Sequence, residues 1–130
     1  MTMNLKCAGQ VISDVLVGFT VTVRMGESSE FELQIEGDIE LRLGSGPVYR
    51  VDSENYEERR KEIESLVGAV VVSARADESG ALTLELDSAT SLRVPPDDDY
   101  EAWSIAGPGG YRVVSLPGGE LAVWSATRSD

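Results

Sequence analysis

The six residues from Phe31 to Glu36, FELQIE, alternate apolar and polar without exception. In extended backbone, successive side chains leave opposite faces, so Phe31, Leu33 and Ile35 share one face and Glu32, Gln34 and Glu36 the other. A helical period would turn Leu33 about 200° away from Phe31, to the side opposite Phe31 and Ile35. The stretch must therefore be a strand with one buried face, and its register is specified, since a slip of one residue would turn the whole apolar set to water.

The flanking sequence extends this pattern. VLVGFTVTVR, Val15 to Arg24, alternates well enough for a strand, and MGESSE makes the turn into Phe31. Gly37-Asp38 then reverses the chain into Ile39, Leu41 and Leu43, with Glu40 and Arg42 pointing the other way. A three-stranded meander is predicted. Leu16 to Leu43 also lines up with Leu66 to Val94 once a single residue is inserted in the second copy, so that Leu33 and Ile35 fall on Leu84 and Leu86. Leu41-Arg42-Leu43 falls on Leu92-Arg93-Val94. A duplicated three-strand meander favours two related sheets facing one another, or one sheet closed into a barrel.

Between the copies, SENYEERRKEIESLV (53–67) has no Gly or Pro and is rich in helix formers. Tyr56, Ile63 and Val67 form a narrow stripe, Asp52 or Ser53 can cap the start, Glu57 and Lys61 can pair at i, i+4, and Gly68 can close the end. One helix over 53–67 is expected, its stripe packed on a sheet. The last third predicts three more strands, over 100–105, 111–116 and 120–125, separated by Pro108-Gly109-Gly110 and Pro117-Gly118-Gly119, triplets suited to tight turns. The run GGYRVVSLPGGELAVW (109–124) is apolar on both faces of its hairpin. Such a strand pair is expected inside a sheet covered on both sides, by the facing sheet and by the helix stripe.

The fold expected is thus mainly β (α+β): an antiparallel β-sandwich or partly closed barrel of about nine strands with one helix, forming a single domain over 1–130. A chain of 130 residues, 42% hydrophobic, can bury one core.

Charge and residue inventory restrict function. Eleven Lys and Arg against 23 Asp and Glu leave a net charge of −12, which repels phosphate backbones and anionic lipid headgroups and attracts basic partners. The chain has no histidine, so Ser-His-Asp and Cys-His catalysis and histidine metal sites are excluded. Its one cysteine, Cys7, can form no internal disulfide and reads as a small buried hydrophobe. The glycine clusters lack a P-loop lysine or a GxGxxG register, and the acids of PPDDDYEAW lack calcium-loop spacing. No enzyme activity, cofactor or metal is expected. The N-terminal stretch lacks the form of a secretory signal and no apolar run is long enough to cross a bilayer, so a cytoplasmic location is expected.

Three stretches, LVGAVVVSARADESGALTLELD, RVPPDDDYEAWSI and GGYRVVSLPGGELAVW, resemble a family of small uncharacterised bacterial proteins that end in a W-x-I strand, a Gly-rich turn and a PGG-x-L-A-V-W hairpin. That resemblance covers roughly 66–125 well and implies no catalytic residue. A looser likeness, in size and charge alone, is to acidic immunity proteins that neutralise a cognate toxin.

The function expected is a non-enzymatic cytoplasmic binding protein docking a basic protein partner, with an immunity protein as the specific form. The alternative is a small-ligand-binding β domain. Partner-binding residues are expected in the acidic, aromatic run Asp97, Asp98, Asp99, Tyr100, Glu101 and Trp103. Homodimerisation through the C-terminal strands is compatible with the same sequence.

Overall fold

A computed structural model describes residues 2–124. In chain order it contains β1 (Met3–Asn4), β2 (Ile12–Val17), β3 (Val21–Met25), β4 (Phe31–Ile35), β5 (Ile39–Arg42) and β6 (Val48–Val51). Helix α1 (Arg60–Glu64) follows, then β7 (Val71–Ala76), β8 (Leu82–Leu86), β9 (Ser91–Val94), β10 (Trp103–Ala106), β11 (Arg112–Ser115) and β12 (Leu121–Trp124). The strands form two six-stranded antiparallel sheets, ordered β1-β7-β8-β9-β5-β6 and β2-β3-β4-β10-β11-β12.

The expected nine strands become twelve among the described residues, and two open sheets replace the barrel. Two of the three extra strands, β1 and β6, lie outside every strand expected, and the third arises at Gly18. VLVGFTVTVR is two strands, β2 and β3, joined by Gly18-Phe19-Thr20, where the Gly18 N–H donates to the Thr20 carbonyl at 2.9 Å. The meanders are β2-β3-β4 and β7-β8-β9, and the strand after each leaves its sheet: β5 crosses to pair with β9, and β10 crosses to pair with β4. The expected meander over 15–43 is therefore wrong in its last strand, and the repeat matches one strand along from the register read in the sequence.

In the structural register, β2 corresponds to β7 and β5 to β10. Both β2 and β7 carry a β-bulge after their first residue, between Ile12 and Asp14 and between Val71 and Ser73. Before each lies a turn with its glycine at positive φ, Gly9 at 91° and Gly68 at 94°. The two turns are joined reciprocally: Ile12 N–H donates to Ala69 O and Val71 N–H to Gln10 O, both at 2.8 Å. Equivalent cross-strand rows, Val15-Val23-Leu33-Ile105-Val113 and Ala74-Leu84-Leu92-Leu41-Tyr49, run across the two sheets. They contribute to one hydrophobic cluster, which also holds Cys7, Tyr56 and Trp103.

The helix is shorter than 53–67. Asp52 first organises a non-helical turn, its Oδ1 accepting the Glu54 N–H at 2.8 Å and its carbonyl the Asn55 N–H at 2.9 Å. A 3-10 turn over Tyr56–Arg59 leads into the five residues of α1. Arg60 takes the partner expected for Lys61, bonding Glu57 as well as Glu64 and the Val17 carbonyl. The buried stripe is Tyr56, Ile63 and Leu66, while Val67 is exposed. Gly68 donates to Ile12 O, which ties the end of the helical segment to β2.

The C-terminal hairpin is only half interior. In β11, Val113, Val114 and Ser115 are buried, but β12 is the outermost strand of its sheet, with Val123 and Trp124 about half exposed. The helical segment is tied to β2, at the opposite edge from β12, so it does not cover the hairpin. Ser125, expected to end the last strand, lies outside the described residues.

The second Pro-Gly-Gly triplet has a packing role. Gly80, in the β7-β8 turn, and Gly119, in the β11-β12 turn, meet backbone to backbone: a Cβ on Gly80 would lie 2.2 Å from Gly119 O, and one on Gly119 would lie 2.0 Å from Ser79 O. The Gly80 carbonyl accepts both the Trp103 indole N–H and the Ser115 hydroxyl at 2.9 Å. Both glycines also sit at positive φ, 92° and 98°. Gly118, at φ 88°, is open by comparison: a methyl group added there would meet nothing within 4 Å. Gly80→Ala or Gly119→Ala is expected to cost about 3 kcal/mol or more, combining clash with strain. Gly118→Ala should cost only about 1 kcal/mol. Urea midpoints of the three variants, at unchanged m-value, check the difference.

Candidate functional site

Three connections meet on one face: the β4-β5 link (36–38), the turn after β6 (52–55) and the long β9-β10 link (95–102). Hydrogen bonds knit them. The Ala102 carbonyl accepts the N–H groups of Glu36 and Gly37 at 2.9 Å each, and the Ser53 N–H donates to Asp38 Oδ1 at 2.9 Å. The Ser53 and Tyr100 hydroxyls share a bond of 3.2 Å. Tyr56 lies beneath, buried, donating its hydroxyl to Gly37 O at 2.6 Å. Burial, reinforced by the nearby Tyr100 phenol and the carboxylates of Asp38, Glu36 and Asp52, pushes the Tyr56 phenol well above its ordinary value.

The candidate run divides between three environments. Asp97, Asp98, Asp99 and Tyr100 belong to the acidic link: Asp97 Oδ1 accepts the Asp99 N–H at 2.8 Å, and the Asp97 carbonyl accepts the Gly118 N–H at 2.8 Å. Glu101 instead lines a groove of about 360 Å³ with Gly110, Arg112, Val114, Leu116 and Trp124, on the outer side of the C-terminal hairpin. Trp103 is 1% exposed and bonded to Gly80, so it supports the core and offers no surface.

The structure adds residues that no motif in the sequence singles out. Asp38, Glu40, Arg50 and Asp52 line a hollow of about 340 Å³. Beside it, Gly18, Phe19, Ser53, Glu54, Asn55, Tyr56 and Glu57 line a cleft of about 700 Å³. Phe19 is 101% exposed at its hairpin apex. Among the described residues, Glu36, Asp38, Asp52, Glu54, Asp97, Asp98 and Asp99 make no ion pair, whereas Glu57 is held by Arg60. The face therefore combines carboxylates that make no ion pair with two accessible aromatic rings, Phe19 and Tyr100. The turn chemistry of Asp52-Ser53 and Gly18 is the available signal, hidden by a helix-like composition in one case and by continuous alternation in the other.

Other reactive groups are elsewhere. Cys7 is fully buried, and desolvation pushes its thiol up to about 11, which makes it a poor nucleophile at neutral pH. Among the described residues, no three carboxylate or thiol side chains converge as a metal site. No helix there is long and apolar enough to cross a membrane.

The model of a family described as "Family of unknown function (DUF6188)" matches residues 3–125. No curated protein and no solved structure matches the chain.

Tyr56 joins the acidic face to the core, which makes it testable. Tyr56→Phe should lower stability by about 1–2 kcal/mol at neutral pH by leaving the Gly37 carbonyl without its donor. Below the unfolded-state value of about 10, the phenol is protonated in both states; above it, only the unfolded chain releases the proton, so stability falls as pH rises. Chemical denaturation from pH 8 to 11 should show the variant losing part of that alkaline slope, with Cys7 and Tyr111, whose thiol and phenol are also raised by burial, supplying a remainder.

Proposed function

The chain belongs to this family of unknown function, and we propose that it is a non-enzymatic binding protein whose acidic face docks a basic protein partner. The observation that carries the reading is the face built by 18–20, 36–38, 52–57 and 97–100, where carboxylates without ion pairs accompany the exposed rings of Phe19 and Tyr100. Negative charge of this density raises the association rate with a cationic surface and disfavours acidic competitors. Aromatic rings supply the desolvated contact area from which affinity comes.

The finer form of the proposal is an immunity protein that neutralises a basic toxin, supported by size and charge. Its direct test is co-expression with a basic toxin encoded beside it, with survival of the host cell as the readout. A second reading, a small-ligand-binding β domain, is favoured by the 700 Å³ cleft, a volume suited to a metabolite. It predicts a rise in melting temperature with a specific metabolite and no salt-dependent protein capture.

For the docking reading, the immobilised chain should retain a basic protein from host extract at low salt and release it at high salt. The triple variant Asp97→Lys, Asp98→Lys, Asp99→Lys should weaken retention by about tenfold or more. Retention indifferent to both salt and charge reversal, or no retention at all, overturns the proposal.

A further inference from the structure

The repeat places two hairpin turns in equivalent positions and treats them differently. In the second half, the β7-β8 turn (77–81) is clasped by the turn after β11 (116–119), through the Gly80–Gly119 contact and the two side-chain bonds to Gly80 O. The equivalent pair in the first half is the β2-β3 turn (18–20) and the turn after β6 (52–55). The correspondence is visible in the hydrogen bonds, since Asn55 N–H donates to Asp52 O at 2.9 Å just as Gly119 N–H donates to Leu116 O at 2.8 Å.

No clasp closes in the first half. By strand register, the places of Trp103 and Ser115 are taken by Ile39 and Val51, which carry no side-chain donor. Glu54 and Asn55 stand where the second half has Gly118 and Gly119. The result is the 700 Å³ cleft, with Phe19 uncovered on one side and Glu54, Glu57 and Tyr56 on the other. A phenylalanine left in water at a turn apex forgoes about 1.5–3 kcal/mol of burial.

The geometry points to an arginine side chain of the basic partner as the occupant of this cleft, its guanidinium stacked on Phe19 and its N–H groups directed to Glu54. This inference rests on the acidic-docking reading. Charge complementarity selects the cation: Glu54 has no ion pair, and the chain carries −12 overall. Arginine fits better than lysine because a planar, weakly hydrated guanidinium can stack on a ring and meet a carboxylate side-on at once. The chain itself places cations over rings, Arg59 4.5 Å from the Tyr49 centroid and Lys6 5.1 Å from that of Tyr111.

The test is an NMR titration of the ¹⁵N-labelled full chain with three probes: hexa-arginine, hexa-lysine and hexa-glutamine. Hexa-arginine should shift the amides of 18–20 and 53–57 and bind roughly five- to tenfold more tightly than hexa-lysine, with no shifts from hexa-glutamine. Phe19→Ala and Glu54→Gln should each weaken hexa-arginine binding by about fivefold or more, and the unchanged remainder of the spectrum shows that the fold is intact. Shifts confined to 97–99, or full affinity in Phe19→Ala, overturn the cleft and leave acidic docking standing. Absence of any salt-dependent binding overturns both readings. Equal shifts from hexa-glutamine overturn the selection of a cation.

Discussion

Four backbone hydrogen bonds hold the two halves of this chain in register. Ile12 and Val71 donate across to Ala69 and Gln10, while Gly68 and Gly9 donate to the carbonyls of Ile12 and Val71, at 2.7–2.8 Å. They bring the starts of β2 and β7 side by side, one from each sheet. Given that junction, each meander can supply the neighbour that the other half's crossing strand needs. Neither sheet can be completed by its own half: β5 is paired on one side by β9, and β10 on one side by β4. Cohesion therefore comes from reciprocal exchange, with the apolar rows of both sheets closing on one core.

The alternation of Phe31–Glu36 is realised as read, with Phe31, Leu33 and Ile35 buried. So are the mainly β character, the single helix and the existence of two antiparallel sheets. The repeat is visible in the sequence, but in a shifted register, and the reason is physical. The turn at 18–20 has three residues, so the apolar phase of Val15 and Val17 continues unbroken into Val21 and Val23. Phe19 sits on that buried phase although it stands at a turn apex. With one strand uncounted, every later match moves along by one.

The candidate site is legible in the sequence only as chemistry. The acids at 97–99 and Tyr100 announce a charged aromatic surface, but nothing in their spacing ties them to Ser53 or Asp38, which reach them through the crossing of β5 and β10. Glu101 and Trp103 show the limit of local reading. One faces the outer groove of the hairpin and the other enters the core, because a link of eight residues ends between them and strand alternation begins. The W-x-I strand and the second PGG turn likewise serve packing: the Trp103 indole bonds the Gly80 carbonyl, and Gly119 packs backbone to backbone on Gly80.

The exchange of strands also governs how this protein must fold. Leu41 and Leu33 have near neighbours in Tyr49 and Val23, but Leu41 finds its second sheet neighbour only when Leu92 has been made, and Leu33 only when Ile105 has. Pairings so distant in sequence close late, and chains dominated by them fold slowly. Until then, β4 and β5 each present an unsatisfied edge beside an apolar face, the species most prone to join a neighbouring molecule. The surplus of carboxylates acts on that interval as well as on any partner, since mutual repulsion between nascent chains keeps open edges apart until each has met its own complement.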